Sequence, residues 1–252
     1  ARGSPTEDFR AELSVVGAGI AGLSIAHNMA RPGRKVVVLE DGPIAGGESC
    51  RTTAHLCSAL DDRYVEIERL HGQHGARLAA QSHAAAIDEI ERIITTDDID
   101  CDFERLDGYL CHPEGDPHLL IRELDAVRRA GIADAELVER LPVHGFDFGQ
   151  ALRFPRQGQF HILSYLHGLA LAATKQGALL HDGTHVTSVE PGHPARVVTA
   201  NGPVVSADVV VIATNTPVID RVTMHTKQAA YRTYVVAGRI PEESVPRLLL
   251  WD

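Results

Sequence analysis

The chain has 252 residues, of which 44% are hydrophobic and 23% are charged, and its formal net charge at pH 7 is −10. This length accommodates one large domain or two modest ones, and the apolar share allows a packed core. The negative charge argues against general binding to nucleic acid or to an anionic membrane, and the sequence has no apolar run of about 18 residues that would form a transmembrane helix. The first ten residues lack the apolar centre of a secretory signal, so we expect a cytoplasmic protein.

The beginning of the chain predicts a βαβ unit. Leu13–Val16 form an apolar strand, a helix follows over about Ile20–Ala30, and "KVVVL" at Lys35–Leu39 forms a second strand. Both strands are apolar at successive positions, which is typical of a parallel sheet that is covered on both faces.

The middle of the chain departs from this pattern. Residues 58–96 carry apolar side chains at helical spacing, "CDFERLDGYLCH" predicts two short strands, and "HLLIRELDAVRRAG" predicts an amphipathic helix that stops at Gly131. We interpret residues 58–155 as an insertion that builds part of a second domain.

The remainder of the chain predicts one more helix and several strands. The helix covers Ile162–Gln176, and short strands follow in "GALLH", "THVTSVE", "ARVVTAN" and "GPVVSA", before the fully apolar strand "DVVVIAT". "YRTYVVAGRI" alternates as a half-buried strand does, and "LLLW" near the end has the apolar character of a further strand.

A glycine motif follows the first strand. The sequence "GAGIAG" places Gly17, Gly19 and Gly22 at the start of the first helix. In a dinucleotide-binding turn, the first glycine permits a tight turn, the second lets a pyrophosphate approach the backbone, and the third lets helix and strand pack closely. Glu40 ends the second strand, where a carboxylate can bind both ribose hydroxyls. These residues predict a dinucleotide site and leave open whether the ligand is NAD or FAD.

A second polar loop, "AGGESCRTTAHL", follows the second strand. Its two adjacent glycines permit close approach of the backbone to a ligand, Ser49, Thr52 and Thr53 offer hydroxyl groups, and Arg51 offers a cation for a pyrophosphate. A simple NAD-binding domain has no need of such a loop at this point, so the loop favours FAD.

The four cysteines predict no metal site. Cys50, Cys57, Cys101 and Cys111 include no C-x-x-C pair, and their spacings match no zinc or iron–sulfur pattern. We expect reduced thiols of a cytoplasmic protein.

These features together resemble a known family. The strand, the glycine motif, Glu40 and the "GGESCRTTAH" loop are similar to the D-amino-acid-oxidase-like FAD-dependent oxidoreductases, whose relatives include glycine and sarcosine oxidases. "QFHILSYLHGLALAATKQGALLHDGTHVTSVE" and "ADVVVIATN" resemble later parts of the same family. "RTTAHL" and "LDDRY" resemble most a bacterial subgroup in which a C-terminal Rieske domain often follows the flavin part.

The resemblance implies FAD as cofactor and a set of cofactor-binding residues in four segments. They are Gly17, Gly19, Ile20, Ala21 and Gly22 in the glycine turn, Glu40 and Asp41 after the second strand, Gly47, Ser49, Arg51, Thr52, Thr53 and His55 in the loop, and Val186, Ala213 and Thr214 in the later strands.

The resemblance also implies an α/β fold with a discontinuous, Rossmann-like FAD-binding domain at 1–57 and 156–216. An α+β substrate domain would occupy 58–155 and 217–252. The implied reaction is oxidation of an amine or amino acid, a small-molecule substrate, by hydride transfer to flavin. No catalytic residue is assigned, although Tyr231, Arg232 and Tyr234 lie on a predicted strand of the substrate part.

Two further expectations concern completeness and alternatives. The family's C-terminal flavin-contacting segment and the Rieske ligands are absent from this sequence, so we expect a fragment of a longer protein. Such a fragment would bind flavin weakly and turn over substrate inefficiently, and its partner would be an electron acceptor or the missing C-terminal domain. The alternatives are an NAD(H)-dependent dehydrogenase and a non-catalytic dinucleotide-binding or electron-transfer fragment.

Overall fold

The computed structural model describes residues 3–112, 118–143, 145, 147, 149–216, 218, 234–241 and 244–252. Contacts group them into two compact units. Unit 1 takes the described residues within Ala1–Thr53, Asp97–Cys101 and Ile162–Val235, and unit 2 takes those within Ala54–Thr96, Asp102–His161 and Val236–Asp252.

The helices and strands follow in chain order. They are β1 (Phe9–Val16), α1 (Ile20–Met29), β2 (Val36–Leu39), β3 (His55–Leu56), α2 (Tyr64–Asp97), β4 (Glu104–Cys111), α3 (Leu119–Arg129), β5 (Glu136–Val138), β6 (Ala151–Gln159), α4 (Ile162–Lys175), β7 (Leu179–His181), β8 (Val186–Glu190), β9 (Ala195–Thr199), β10 (Val204–Ile212) and β11 (Leu249–Trp251).

Unit 1 contains a six-stranded sheet in the order β7-β2-β1-β10-β9-β8. The strands β7, β2, β1 and β10 are parallel, whereas β9 and β8 run antiparallel to their neighbours. All four residues of β2 are buried, as its continuous apolar sequence predicts. The parallel sheet with its crossover helix α1 confirms the predicted α/β class.

Unit 2 contains a second sheet in the order β11-β4-β6-β3, and β5 also pairs with β6. Its core includes Tyr64, Phe154 and Leu110, all at most 2% exposed. The helix α2 is kinked at Gly72, whose φ of +69° is not helical. The predicted end of α3 is confirmed, since Gly131 follows it with a φ of +104° and its N–H donates to the carbonyl of Arg128.

Several predicted strands differ from the structure. The segment "CDFERLDGYLCH" forms one strand, β4, rather than two. "GPVVSA" and "DVVVIAT" join into the single strand β10, because β1 pairs with it from Val205 to Ile212. The predicted strand "YRTYVVAGRI" includes Tyr231 and Arg232, which lie outside the described residues. Its described residues, 234–240, are exposed and do not form a strand. "LLLW" is confirmed as β11.

The domain ranges inferred from the sequence stay predictions, although the structure bears on one boundary. Strand β6 runs through residue 156, and unit 2 continues to His161, because the whole strand pairs with β4.

Within the part of the chain that the structure describes, none of the helices combines the length and apolar character needed to cross a membrane.

Candidate dinucleotide-binding site

A cavity of about 1010 Å³ lies in unit 1 at the carboxyl ends of three strands. Its lining includes Gly17 directly after β1, Glu40 directly after β2, and Ala213 directly after β10. Parallel α/β sheets bind their ligands outside the carboxyl ends of the strands, where loops from separate strands converge. The volume lies at the upper end of the range of about 300–1,000 Å³ for ligand pockets, which suits an extended ligand.

The glycine turn is packed so tightly that side chains are excluded at two positions. Gly17 has a φ of +103°, and a Cβ atom there would lie 2.5 Å from the carbonyl oxygen of Ala213. A Cβ atom at Gly22 would lie 1.9 Å from the carbonyl oxygen of Gly17. The turn therefore stays close to the end of β10, and α1 stays close to the turn, as the glycine motif predicts.

The carboxylate of Glu40 faces this turn. Its Oε2 accepts a hydrogen bond from the N–H of Ala18 at 2.5 Å, and its Oε1 accepts one from the N–H of Gly42 at 3.2 Å. The backbone of Glu40 is fixed as well, because its N–H donates to His181 and its carbonyl accepts from Thr184. An ionised carboxylate accepts about four hydrogen bonds, so two remain for a ligand.

The start of α1 is joined to the loop after β2. The N–H of Ile20 donates to the Oγ of Ser49 at 3.0 Å. Gly19 has no side chain that could cap the helix, and a Cβ atom there would lie 3.0 Å from that same Oγ. Helix N-termini carry unsatisfied N–H groups and a positive dipole, which together favour an anionic ligand.

The charge of the cavity lining is negative. Glu40, Asp41 and Glu48 line it, and the lining residues that the structure describes include no lysine or arginine. The imidazole of His185 also lines the cavity, with its Nδ1 3.1 Å from the Oδ1 of Asp41. A bound pyrophosphate would therefore depend on backbone N–H groups and the dipole of α1 more than on cationic side chains.

The structure brings most of the candidate cofactor residues to this cavity. Those in its lining are Gly17, Gly19, Ile20, Ala21, Glu40, Asp41, Gly47, Ser49, Val186, Ala213 and Thr214. Gly22 is buried behind the turn. Their roles as cofactor contacts stay predictions.

The other loop residues lie outside the lining. The side chain of Arg51 is 68% exposed and its guanidinium pairs with Glu48 at 2.8 Å, while Thr52 and Thr53 are exposed. His55 begins β3 and belongs to unit 2. The expected approach of these four residues to the cofactor stays a prediction.

Several residues that line the cavity were not predicted from the sequence. Glu48 lies within the predicted loop, Thr184, His185 and Thr187 flank Val186, and Asn215 follows Thr214. Their position beside predicted contacts at strand ends is the signal that would have found them.

The described residues contain no group of three or more His, Cys, Asp or Glu side chains that could hold a metal ion. All four cysteines are free thiols; Cys101 and Cys111 are buried, and Cys50 and Cys57 are half-buried. Burial, followed by the charge of Asp61, raises the pKa of the Cys57 thiol.

The family model described as "FAD dependent oxidoreductase" matches residues 12–250, almost the whole chain. The chain belongs to this family. The match confirms the resemblance found in the sequence. FAD is the cofactor of this family, so the cavity residues are tested for their fit to FAD. Three features fit FAD: a turn whose glycines let a ligand approach the backbone, a helix N-terminus, and a carboxylate with free acceptor sites.

Two named relatives are similar to most of this chain. The chain is 28% identical over 233 residues to "Putative Rieske 2Fe-2S iron-sulfur protein YhfW" of Bacillus subtilis, covering 92% of this chain and 45% of that protein. It is 29% identical over 220 residues to the gamma-glutamylputrescine oxidoreductase of Escherichia coli, covering 86% and 51%. The chain thus spans about half the length of the curated relatives it matches.

A solved structure agrees with the fold. The glycine oxidase of Geobacillus kaustophilus superposes with a TM-score of 0.67 at 23% identity, covering 81% of this chain and 55% of that one. At this identity the likeness establishes the fold alone. The chain is therefore an oxidoreductase-family α/β protein whose cavity lies at the carboxyl edge of the parallel sheet.

Proposed function

We propose that unit 1 binds FAD in the 1010 Å³ cavity and that the protein oxidises an amine or amino acid. The observation that carries the proposal is the convergence of the glycine turn, the Glu40 carboxylate and the end of β10 on one cavity. Membership of the FAD-dependent family supports FAD over NAD. The names of two relatives, a gamma-glutamylputrescine oxidoreductase and a glycine oxidase, support an amine or amino acid as substrate.

Different residues of the chain would bind different parts of FAD. Glu40 would accept hydrogen bonds from the adenosine ribose through its remaining acceptor sites. The N-terminus of α1 would stabilise the pyrophosphate, and Ser49, whose oxygen accepts from Ile20, would still have its own O–H to donate. The backbone at Val186 and His185 would contact the adenine end, and Ala213 and Thr214 would border the opposite side of the turn.

The chemistry would come from the cofactor, and the protein would supply position and electrostatics. FAD, when bound, would accept a hydride from the carbon that bears the substrate nitrogen. An amine that reacts as the neutral base needs no further proton acceptor for this step. The flavin ring and the substrate carbon next to the nitrogen would have to be held in near-attack geometry.

The first test of the proposal is which dinucleotide the protein binds. The purified protein is freed of ligand and titrated separately with FAD and with NAD, and binding is followed by flavin fluorescence and by calorimetry. We expect saturable binding of FAD and much weaker binding of NAD. Tight binding of NAD without FAD would instead identify the dehydrogenase alternative.

The substrate class is tested with the FAD-loaded protein. It is mixed without oxygen with a panel of primary amines, secondary amines and amino acids, and loss of visible flavin absorbance is recorded. Reduction by at least one nitrogen compound, and none by the matching alcohols, is expected. Binding of FAD with no reduction by any compound would leave a dinucleotide-binding protein and reject the proposed oxidation.

A further inference from the structure

A second groove, of about 670 Å³, lies in unit 1 at the opposite end of the parallel strands. It lies between the N-terminal segment Pro5–Glu7, the loop Arg31–Lys35 that joins α1 to β2, and strand β7. The groove shares no lining residue with the dinucleotide cavity. Phe9 and Gly17 lie at opposite ends of β1, although the two linings come within about 7 Å of each other on β2, where Val37 and Leu39 are two residues apart.

The floor of this groove is apolar and partly aromatic. It includes the half-buried Leu179 of β7, which packs in one cluster with the fully buried Val37 of β2. Phe9 also contributes, and its ring centroid lies 6.0 Å from that of His181 at a tilt of 36°. Such a floor suits a flat apolar group, because aromatic rings pack well against other rings and aliphatic side chains.

The rim of the groove is cationic, although the whole chain carries a net charge of −10. Arg10, Arg31, Arg34 and Lys35 line it, against one acidic residue, Glu7. Among the residues that the structure describes, Arg10 pairs with Asp208 at 2.6 Å, and the Nε of Arg34 lies 3.9 Å from Glu12.

Unlike the side chains of Arg10 and Arg34, those of Arg31 and Lys35 have no acidic partner within the described part of the chain. Both residues are exposed. Two cations are therefore free to bind an anion at the edge of an apolar floor.

Backbone hydrogen bonds fix the loop that carries these cations. The N–H of Arg34 donates to the carbonyl of Arg31 at 3.0 Å, which closes a turn. The carbonyl of Lys35 accepts from the N–H of Glu12 at 2.9 Å, and the N–H of Lys35 donates to the Glu12 carboxylate at 3.3 Å. Because the backbone is already held, a ligand would have to order only the ends of the side chains.

We propose that this groove binds an amphipathic organic anion. The apolar part of the ligand would lie on Phe9 and Leu179, and its acidic group would lie between Arg31 and Lys35. The acidic group is a carboxylate, sulfonate or phosphate, all of which pair with these cations. Because it shares no lining residue with the dinucleotide cavity, the groove would be an accessory binding site, separate from the site of oxidation.

The test uses anilinonaphthalene sulfonate, an aromatic sulfonate whose fluorescence rises in apolar surroundings, with and without saturating FAD. Binding to the wild-type protein is compared with binding to the double variant Arg31→Glu/Lys35→Glu. The matched control is Arg77→Glu, an exposed arginine of α2 in unit 2. We expect the double variant to bind about tenfold more weakly, the control to bind as the wild type does, and added salt to weaken the wild type.

Competition then identifies the acidic group, since phenyl phosphate and octanoate should each displace the probe if phosphate and carboxylate both fit. Equal affinity of the double variant and the wild type would overturn the proposal, and so would failure of the wild type to bind. Displacement of the probe by FAD would place it in the dinucleotide cavity and would also reject the groove. Circular dichroism of each variant confirms that the fold is retained.

Discussion

The Oγ of Ser49 accepts a hydrogen bond from the N–H of Ile20 at 3.0 Å, so a loop residue caps a helix that begins 29 residues earlier in the chain. Gly19, at the N-cap position, has no side chain that could do this. The loop after β2 and the helix N-terminus that faces the cavity are therefore linked. A change in the loop should reach the proposed phosphate site through this hydrogen bond.

Replacing Ser49 with alanine tests this link. The Ser49→Ala variant leaves the N–H of Ile20 without its acceptor, and the loss of a helix cap costs about 0.5–2 kcal/mol. We expect weaker FAD binding, by about twofold to thirtyfold, with a fall in thermal stability. Ser49→Thr keeps the oxygen and should retain most of the affinity. Wild-type affinity in the alanine variant would contradict the role of this hydroxyl.

The carboxylate of Glu40 should contribute more to affinity. In Glu40→Ala, the N–H of Ala18 loses its acceptor at 2.5 Å, and the expected bonds to the ribose cannot form. We expect FAD binding to weaken by about 1–3 kcal/mol, as measured by calorimetry. Glu139→Ala removes an exposed carboxylate from unit 2 and serves as the control. If both variants bind FAD equally well, Glu40 is not the ribose acceptor.

The ion pair between Glu48 and Arg51 should oppose binding of the pyrophosphate. Glu48 adds negative charge to the cavity lining, and its carboxylate pairs at 2.8 Å with Arg51, which lies outside the lining. Glu48→Gln removes that charge and releases the guanidinium, so we expect FAD to bind about twofold to fivefold more tightly. The gain should disappear in Glu48→Gln/Arg51→Ala if Arg51 reaches the phosphates. Weaker binding in the single variant would show that Glu48 itself supports the site.

The sequence predicted the parts of this site whose determinants are local. The strand β1, the glycine turn and the position of Glu40 follow from apolar periodicity and from backbone geometry that only glycine meets at Gly17. The Ser49–Ile20 bond depends on how a loop folds back onto a helix, and no short pattern encodes it. The structure pairs Arg51 with Glu48, three residues away, and its expected approach to the cofactor stays a prediction.

The strand β10 shows why strand boundaries were harder to predict. Its first residues, Val204–Ala207, lie between β1 and β9, whereas its later residues pair with β1 and have no β9 partner. One strand thus has two environments, and Val209 and Ile212 are 52% and 40% exposed. The sequence changes its pattern at the same point, which suggested two strands where the backbone forms one.

The phenol of Tyr64 should make stability depend on alkaline pH. Burial, and then the charges of Glu123 and Cys57, raise the pKa of Tyr64 well above its ordinary value, and its hydroxyl donates to the carbonyl of Ser58 at 2.6 Å. The phenol therefore stays neutral in the folded state at a pH where the unfolded chain ionises. Its stabilising contribution is complete below about pH 10 and falls above it, by up to about 1.4 kcal/mol per pH unit.

Urea unfolding of the wild type and of Tyr64→Phe between about pH 8 and pH 11 measures this dependence. The phenylalanine variant should be less stable at the lower pH, because it lacks the hydrogen bond to Ser58. The difference in unfolding free energy between the two proteins should shrink as the pH rises above the ordinary pKa of tyrosine, about 10. A constant difference across the range would contradict the raised pKa of Tyr64.

The buried carboxylate of Glu123 should be the strongest single polar contribution to unit 2. Glu123 is 1% exposed and lies on α3, and its two oxygens accept from the N–H groups of Tyr64 at 2.7 Å and Val65 at 3.0 Å, at the start of α2. A carboxylate at a helix N-terminus is stabilised by the helix dipole as well as by these bonds.

Replacing Glu123 with alanine leaves both of those N–H groups without acceptors inside the protein, so we expect a loss of about 3–5 kcal/mol in the free energy of unfolding. Glu123→Gln keeps one acceptor and should lose about half as much. Asp125→Ala, an exposed change on the same helix, should stay within about 0.5 kcal/mol of the wild type. Urea denaturation compares the four proteins, and an alanine variant at position 123 as stable as the Asp125 control would show that water replaces the carboxylate without cost.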